Sequence, residues 1–263
     1  MELETLSRER GGRRKIEKEE VEEDNEEEEE CINCASDYCS DPQKDNGRKI
    51  KDGIENPVST LFLRVNDPLL RPMARAGISA NMLTFFSLIT GLLAVYFVWV
   101  RKPFIGALFY AASYFFDCSD GCMARYTNTC SEFGDKFDHY KDITVFILLI
   151  VAIQVRYPPG VKWWGIFGGL LGLSLIHFGS VERFNRLSCG KDHPKNFLNM
   201  FSMFSQWVSP GDDCEQLVKT MKVSRWFGDG SLIFAVVIYL FICEFNENKG
   251  KEERRSGMEI LIC

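Results

Sequence analysis

Asp117-Cys-Ser-Asp120-Gly121-Cys-Met-Ala124-Arg125, followed after eight residues by Gly134-x3-Asp138-x3-Asp142, is the stretch that decides the reading of this chain. Four carboxylates sit at helical spacing between two apolar runs long enough to enter a bilayer. Asp117 and Asp120 are three residues apart and Asp138 and Asp142 four, so on two helices each pair shares a face. Ionisable groups beside a membrane span are costly and mark function by default. With small residues between them, these four predict a cage for divalent cations and a phosphate-bearing ligand.

Outward from the motif, the chain divides into unlike parts. Its 263 residues carry a formal charge of -6 and are 46% hydrophobic, an average of two extremes. Residues 1–56 are polar, with the acidic run Glu26–Glu30, and are expected to form a disordered cytoplasmic tail because they cannot bury enough apolar surface to offset chain entropy. The start of the chain has no apolar core of a secretory signal. Residues 57–245 are apolar and aromatic and form the expected membrane domain, and 246–263 a short cytoplasmic C-terminal tail.

The ten cysteines do not suggest a disulfide framework, since Cys118, Cys122, Cys130 and Cys243 fall in or near spans, where small thiols are ordinary. Cys31, Cys34 and Cys39 supply three thiols without a histidine, short of the four ligands of structural zinc. Cys263 stands at the last position and so does not form a prenylation signal.

The expected fold is an all-α, integral-membrane bundle of six helices, one of them doubtful, preceded by an interfacial amphipathic helix. That first helix is read from Val58, Leu61, Phe62, Val65, Leu69 and Met73, with Arg64, Arg71 and Arg75 between them. Met82–Val100 gives 19 uncharged residues, enough to span. Pro103–Phe116 runs into the aspartate motif, Ile143–Val155 runs out of it, and Trp163–Val181 and Trp226–Phe245 follow, the last broken at its start by Gly228-Asp229-Gly230. Phe197–Val208 is short and interrupted, either a distorted span or an interfacial helix. Six crossings place the basic clusters at Arg71/Arg75, Arg183–Lys195 and Lys249–Arg255 on one side, with both termini and the aspartates cytoplasmic.

Hard cations such as Mg²⁺ prefer carboxylate oxygens and substrate phosphates. Gly121, Ala124 and Gly134 leave room for a ligand against the backbone, and Arg125 can meet a phosphate. A metal-bridged pyrophosphate would present a neutralised leaving group, and a carboxylate left partly free of metal would accept a proton from an attacking hydroxyl. A purely structural role would need basic partners. Arg125, Lys136 and Lys141 are too few for Asp117, Asp120, Glu132, Asp135, Asp138 and Asp142. A cation channel would spread its carboxylates through the bilayer instead of clustering them at one end.

The pattern D-x2-D-G-x2-A-R-x8-G-x3-D-x3-D resembles that of the CDP-alcohol phosphotransferases, and all its fixed positions are met. Asn81-Met-Leu-Thr84 is similar to the family's Pro-Asn-x-x-Thr, with Ala80 in place of proline. The resemblance covers residues 57–245 and implies a six-helix, often dimeric membrane enzyme of phospholipid synthesis. It implies two ions, Mg²⁺ or Mn²⁺, held by Asp117, Asp120 and Asp138, with Asp142 as general base and a further ligand. By the same resemblance, Gly121, Ala124, Arg125 and Gly134 contact the nucleotide, a CDP-linked donor passes its substituted phosphate to an alcohol or lipid acceptor, and CMP leaves.

Phe137-Asp138-His139 is similar to the aminoalcohol branch of the family, in which the histidine is a candidate base, whereas Thr129–Gly134 resembles the phosphatidylinositol synthase branch. Two chemistries stay open: CDP-diacylglycerol with a polar alcohol, slightly favoured, or CDP-choline or CDP-ethanolamine with diacylglycerol. His177, Glu182, Arg183 and Arg186 are read as positive-inside anchors ahead of an acceptor pocket, and His193 as a loop residue. The expected location is the endoplasmic reticulum, with no nucleic-acid partner. A scaffold whose acidic tail recruits partners is the remaining class, opposed by the complete motif.

Overall fold

The computed structural model describes residues 44–50, 52–188, 199–210 and 214–262. These are mostly helical, with no β-strand among them, and form α1 (Pro57–Arg75), α2 (Ala80–Trp99), α3 (Pro103–Tyr126), α4 (Glu132–Arg156), α5 (Val161–Ser188), α6 (Asn199–Val208), α7 (Cys214–Ser224) and α8 (Asp229–Ile262). The architecture is that of an all-α membrane protein. Among the described residues, three helical stretches are long and apolar enough to cross a bilayer, Ala80–Trp99, Val161–Phe184 and Glu215–Gly250. Helices α3 and α4 have the length, but each gives one end to the aspartate cluster.

Helix starts are written locally. Asn56 caps α1, its Oδ1 accepting from the N–H groups of Val58 (2.9 Å) and Ser59 (3.3 Å), with Pro57 next. Ser79 caps α2, Pro103 opens α3, and the Ser131 hydroxyl accepts the Gly134 N–H at 3.0 Å to start α4. Asn56 has a second role, since its Nδ2 donates to the Arg225 carbonyl at 2.5 Å and to Ser231 Oγ at 2.9 Å, joining α1 to the start of α8.

Helix α2 is the central post, with α3 and α4 both packed along it. Gly91 makes this possible, because a Cβ there would lie 2.8 Å from Val145 of α4 and 3.0 Å from Ser113 Oγ of α3. Ser87 and Ser113 exchange hydroxyl-to-carbonyl hydrogen bonds, each at 2.9 Å, across the α2–α3 contact. Away from the motif, Ala94, Val98, Tyr110, Leu149, Ile153, Phe167, Val236 and Leu240 form the main core. Arg156 stacks over Trp99 at 4.5 Å at that end. Phe85, Ile89, Leu92 and Tyr96 form an exposed stripe on α2, as expected of a lipid-facing side.

Two segments depart from the sequence expectation. Disorder is expected through residue 56, yet the stretch from Lys44 is folded. Ile50 and Ile54 bury completely against Phe184 of α5 and Leu217, Val218 and Met221 of α7, while Arg48 pairs with Asp52 and, at 2.5 Å, with Asp67. Two apolar anchors and these ion pairs together fix a charged segment. The doubtful stretch 197–208 contains the ten-residue helix α6, which rises only about 15 Å and cannot cross alone. It is followed by α7, which the sequence reading did not anticipate. Residues 246–262 continue α8. Cys31, Cys34, Cys39, His193 and the Arg186 side chain lie outside the described residues.

Candidate active site

The aspartates converge where α3 ends and α4 begins. The turn between them is closed by the Thr129 N–H donating to the Ala124 carbonyl at 2.9 Å and by Asn128 in the left-handed region (φ 54°), which asparagine tolerates. The chain reverses within a few residues and α4 starts on Ser131. Helical periodicity then brings Asp138 to the level of Asp117 and Asp120. One carboxylate oxygen from each of Asp117, Asp120 and Asp138 lies within 4.8 Å of the others. Asp142 sits one turn further along α4.

A cavity of about 170 Å³ opens on this cluster. Ala80, Asn81 and Thr84 of α2 form one wall, Asp120, Gly121, Ala124 and Arg125 of α3 another, and Thr129–Ser131 with Gly134, Asp135 and Asp138 close it. The Asn-x-x-Thr element and both halves of the aspartate motif therefore meet in one space. The Arg125 guanidinium lies across Gly121, where a Cβ would be 3.2 Å from Nη1. Its Nε donates to the Gly47 carbonyl at 2.6 Å, so the folded end of the tail aims the side chain. Gly47 must be glycine, because its φ is +73° and a Cβ would stand 1.9 Å from the Cys122 carbonyl oxygen.

The donor set suits a hard divalent cation. Asp120 is buried, and its Oδ2 has no hydrogen-bond partner, an orphan whose desolvation a cation would offset.

The sequence reading underrated Lys141, counting it only as one nearby positive charge. It is buried, and its Nζ pairs with Asp117, with Asp138 at 2.9 Å and with Asp142 at 2.8 Å, and donates to Ser87 Oγ at 3.1 Å. Its spacing of three from Asp138 puts both on one helix face, a signal present in the sequence.

Other residues fall elsewhere. His139 does not line the cavity, and its Nδ1 donates to the Asp135 carbonyl at 2.6 Å. His177 is buried, with its Nδ1 3.0 Å from Ser224 Oγ. Arg183 is neither a surface anchor nor a cavity residue. It is buried, with Nη1 donating to the Ser209 carbonyl at 2.7 Å and Ser205 Oγ at 3.3 Å, and so ties α5 to α6. Glu182 pairs with Lys49 at 3.4 Å.

A helical membrane protein with a carboxylate cage under a polar cavity is the class that fold and site define. Residues 78–236 match the CDP-alcohol phosphatidyltransferase family, and the chain belongs to it. Members are transferases of substituted phosphate groups and generally use divalent metals. Among curated relatives, the CDP-diacylglycerol–serine O-phosphatidyltransferase of Helicobacter pylori (strain J99) is 28% identical over 125 residues, 46% of this chain and 50% of that enzyme. The archaetidylinositol phosphate synthase of Pyrococcus horikoshii is 33% identical over 126 residues, 46% of this chain and 65% of that protein. The chain thus spans about half to two thirds of the length of these relatives. No solved structure matches it.

Proposed function

We propose that this protein is a phospholipid-synthesising phosphatidyltransferase that moves the phosphatidyl group of CDP-diacylglycerol onto a polar alcohol and releases CMP. The observation that carries the reading is the Asp117–Asp120–Asp138 cluster from two helices beneath a cavity that Asp120, Asp138 and Arg125 line together. The serine O-phosphatidyltransferase relative names CDP-diacylglycerol as its donor, which favours this chemistry over a soluble CDP-alcohol.

Asp117, Asp120 and Asp138 would hold the divalent cation, which when bound neutralises pyrophosphate charge. Arg125 offers its guanidinium Nη1 to a phosphate oxygen, and its aim is fixed by Gly47. Gly121, Ala124 and Gly134 let the nucleotide approach the helix backbones, with Asn81 and Thr84 facing it as hydrogen-bonding groups. The acceptor hydroxyl oxygen bonds to phosphorus as the phosphorus–oxygen bond to CMP breaks, and CMP carries away the electron pair. Asp142, paired with Lys141, takes the hydroxyl proton. The site belongs on the cytoplasmic face of the endoplasmic reticulum, in a chain that pairs as a homodimer.

The second reading, a CDP-choline or CDP-ethanolamine phosphotransferase acting on diacylglycerol, is favoured by one observation. Donation from His139 Nδ1 leaves Nε2 available as an acceptor, on the residue that follows Asp138 in the chain.

The test is CMP release by purified protein given either CDP-diacylglycerol with candidate alcohols or CDP-choline and CDP-ethanolamine with diacylglycerol. CMP from the first set alone, lost in EDTA and restored by Mg²⁺ or Mn²⁺, is the expected result. Turnover only in the second set would replace this reading with the alternative.

A further inference from the structure

We propose that the Lys141 ammonium is a built-in replacement for a second metal ion, so that the cage binds one divalent cation where its four carboxylates would otherwise take two. This rests on the cage reading above and adds to it the role of a residue outside the aspartate motif.

Nζ has four oxygen neighbours, one each from Asp117, Asp138, Asp142 and Ser87. An ammonium has three protons to donate, so four oxygens around it resemble the shell of a cation more than an ordinary hydrogen-bonding group. In two-metal sites the ions stand about 3.5–4 Å apart and share bridging carboxylates. Here Asp117 and Asp138 bridge in the same way, facing Asp120 on one side and Lys141 on the other. A second ion on Asp142 would need the oxygens that Nζ already holds.

The ammonium is not a surface group that happens to reach inward. The Lys141 side chain is only 1% exposed. Ser87, its fourth neighbour, is itself fixed by donating to the Ser113 carbonyl, so α2 and α3 hold the position from behind. A lysine suits the place as a compact point charge on a four-carbon stem. A buried charge persists when it is paired, and this one meets three carboxylates. The orphaned Asp120 Oδ2 lies outside the ammonium's shell, and with Asp138 Oδ1, which is 2.9 Å from Nζ but has no hydrogen-bond partner, it is left for the one exchangeable ion.

The experiment is a Mn²⁺ titration of the full-length protein in detergent micelles, without nucleotide, with free and bound Mn²⁺ counted by electron paramagnetic resonance. Wild type should take up one tightly bound, magnetically isolated ion per chain. Lys141→Ala and the stem-preserving Lys141→Met should each take up two, with the broadened signal of exchange-coupled neighbours. Two coupled ions in wild type would overturn the inference while leaving the cage intact, and that result does not depend on either variant folding. A single ion in a well-folded Lys141 variant would overturn it as well. No tight ion in wild type, the same as Asp120→Asn, would overturn the cage reading beneath it.

Discussion

The Gly47 carbonyl oxygen lies 2.6 Å from Arg125 Nε, across an interval of 78 residues in the chain. The segment before the first helix thereby orients an arginine of the aspartate motif, and it can do so only because Gly47 lies against the Cys122 backbone. Gly47→Ala would require both a strained φ and a rearranged contact. The expected outcome is a loss of kcat/KM of about a hundredfold from misplacement of Arg125, measured as CMP release at varied donor concentration. Unchanged kinetics would show that Arg125 needs no such support.

Asp142 and His139 can be separated as proton acceptors. Asp142→Asn should lower kcat by about 10²–10⁴-fold, the range for loss of a general base, whereas His139→Ala should stay close to wild type because its Nδ1 is engaged by the Asp135 carbonyl while Asp142 is the one paired into the Lys141 cluster. Steady-state rates of the two variants decide the matter. The opposite pattern would make His139 the base and favour the aminoalcohol chemistry.

Arg183 is a tie between helices. Arg183→Met keeps the stem and removes the donors to Ser209 and Ser205, so stability should fall by about 1.5–3 kcal/mol. Thermal unfolding in detergent reports the loss, and acceptor KM should not move. A raised KM at undiminished stability would return Arg183 to the acceptor pocket.

Glu55 gives the fold a pH dependence. Burial, with Asp229 close by, pushes its carboxyl up to about 7, against the partial relief of the Asn56 N–H at 3.0 Å. Because the folded value lies above the unfolded one, the protonated form favours folding. Stability is then greatest below the usual carboxylate range and falls as pH rises through about 7. The unfolding temperature should therefore drop between pH 5 and pH 8, and Glu55→Gln should flatten the slope and raise the midpoint at pH 8. A variant with the wild-type slope would remove Glu55 as its source.

What was legible in the sequence was what depends on spacing within one helix. Asp117 to Asp120 and Asp138 to Asp142 needed only helical periodicity, and Asn81 and Thr84 reach the same cavity because they open α2 on one face. Contacts between distant segments were not legible. Ile50 and Ile54 are two apolar residues in a charged stretch, and nothing local shows that α5 and α7 will cover them. Arg183 looks like a surface charge until α6 folds over it. Lys141 lay between these cases. Its helix face was readable, but its burial depends on α2 and α3 supplying Ser87 and Asp117.

The bond between Asn56 and the start of α8 also has a consequence for biosynthesis. Arg225 and Ser231, which receive the Asn56 amide, leave the ribosome some 170 residues after it. Until then α1 lacks the far half of its mooring, and the segment before it rests on its other contacts. A nascent chain with both halves of the aspartate motif already inserted therefore still lacks the tie between its first and last helices. That tie closes only when the start of α8 is delivered.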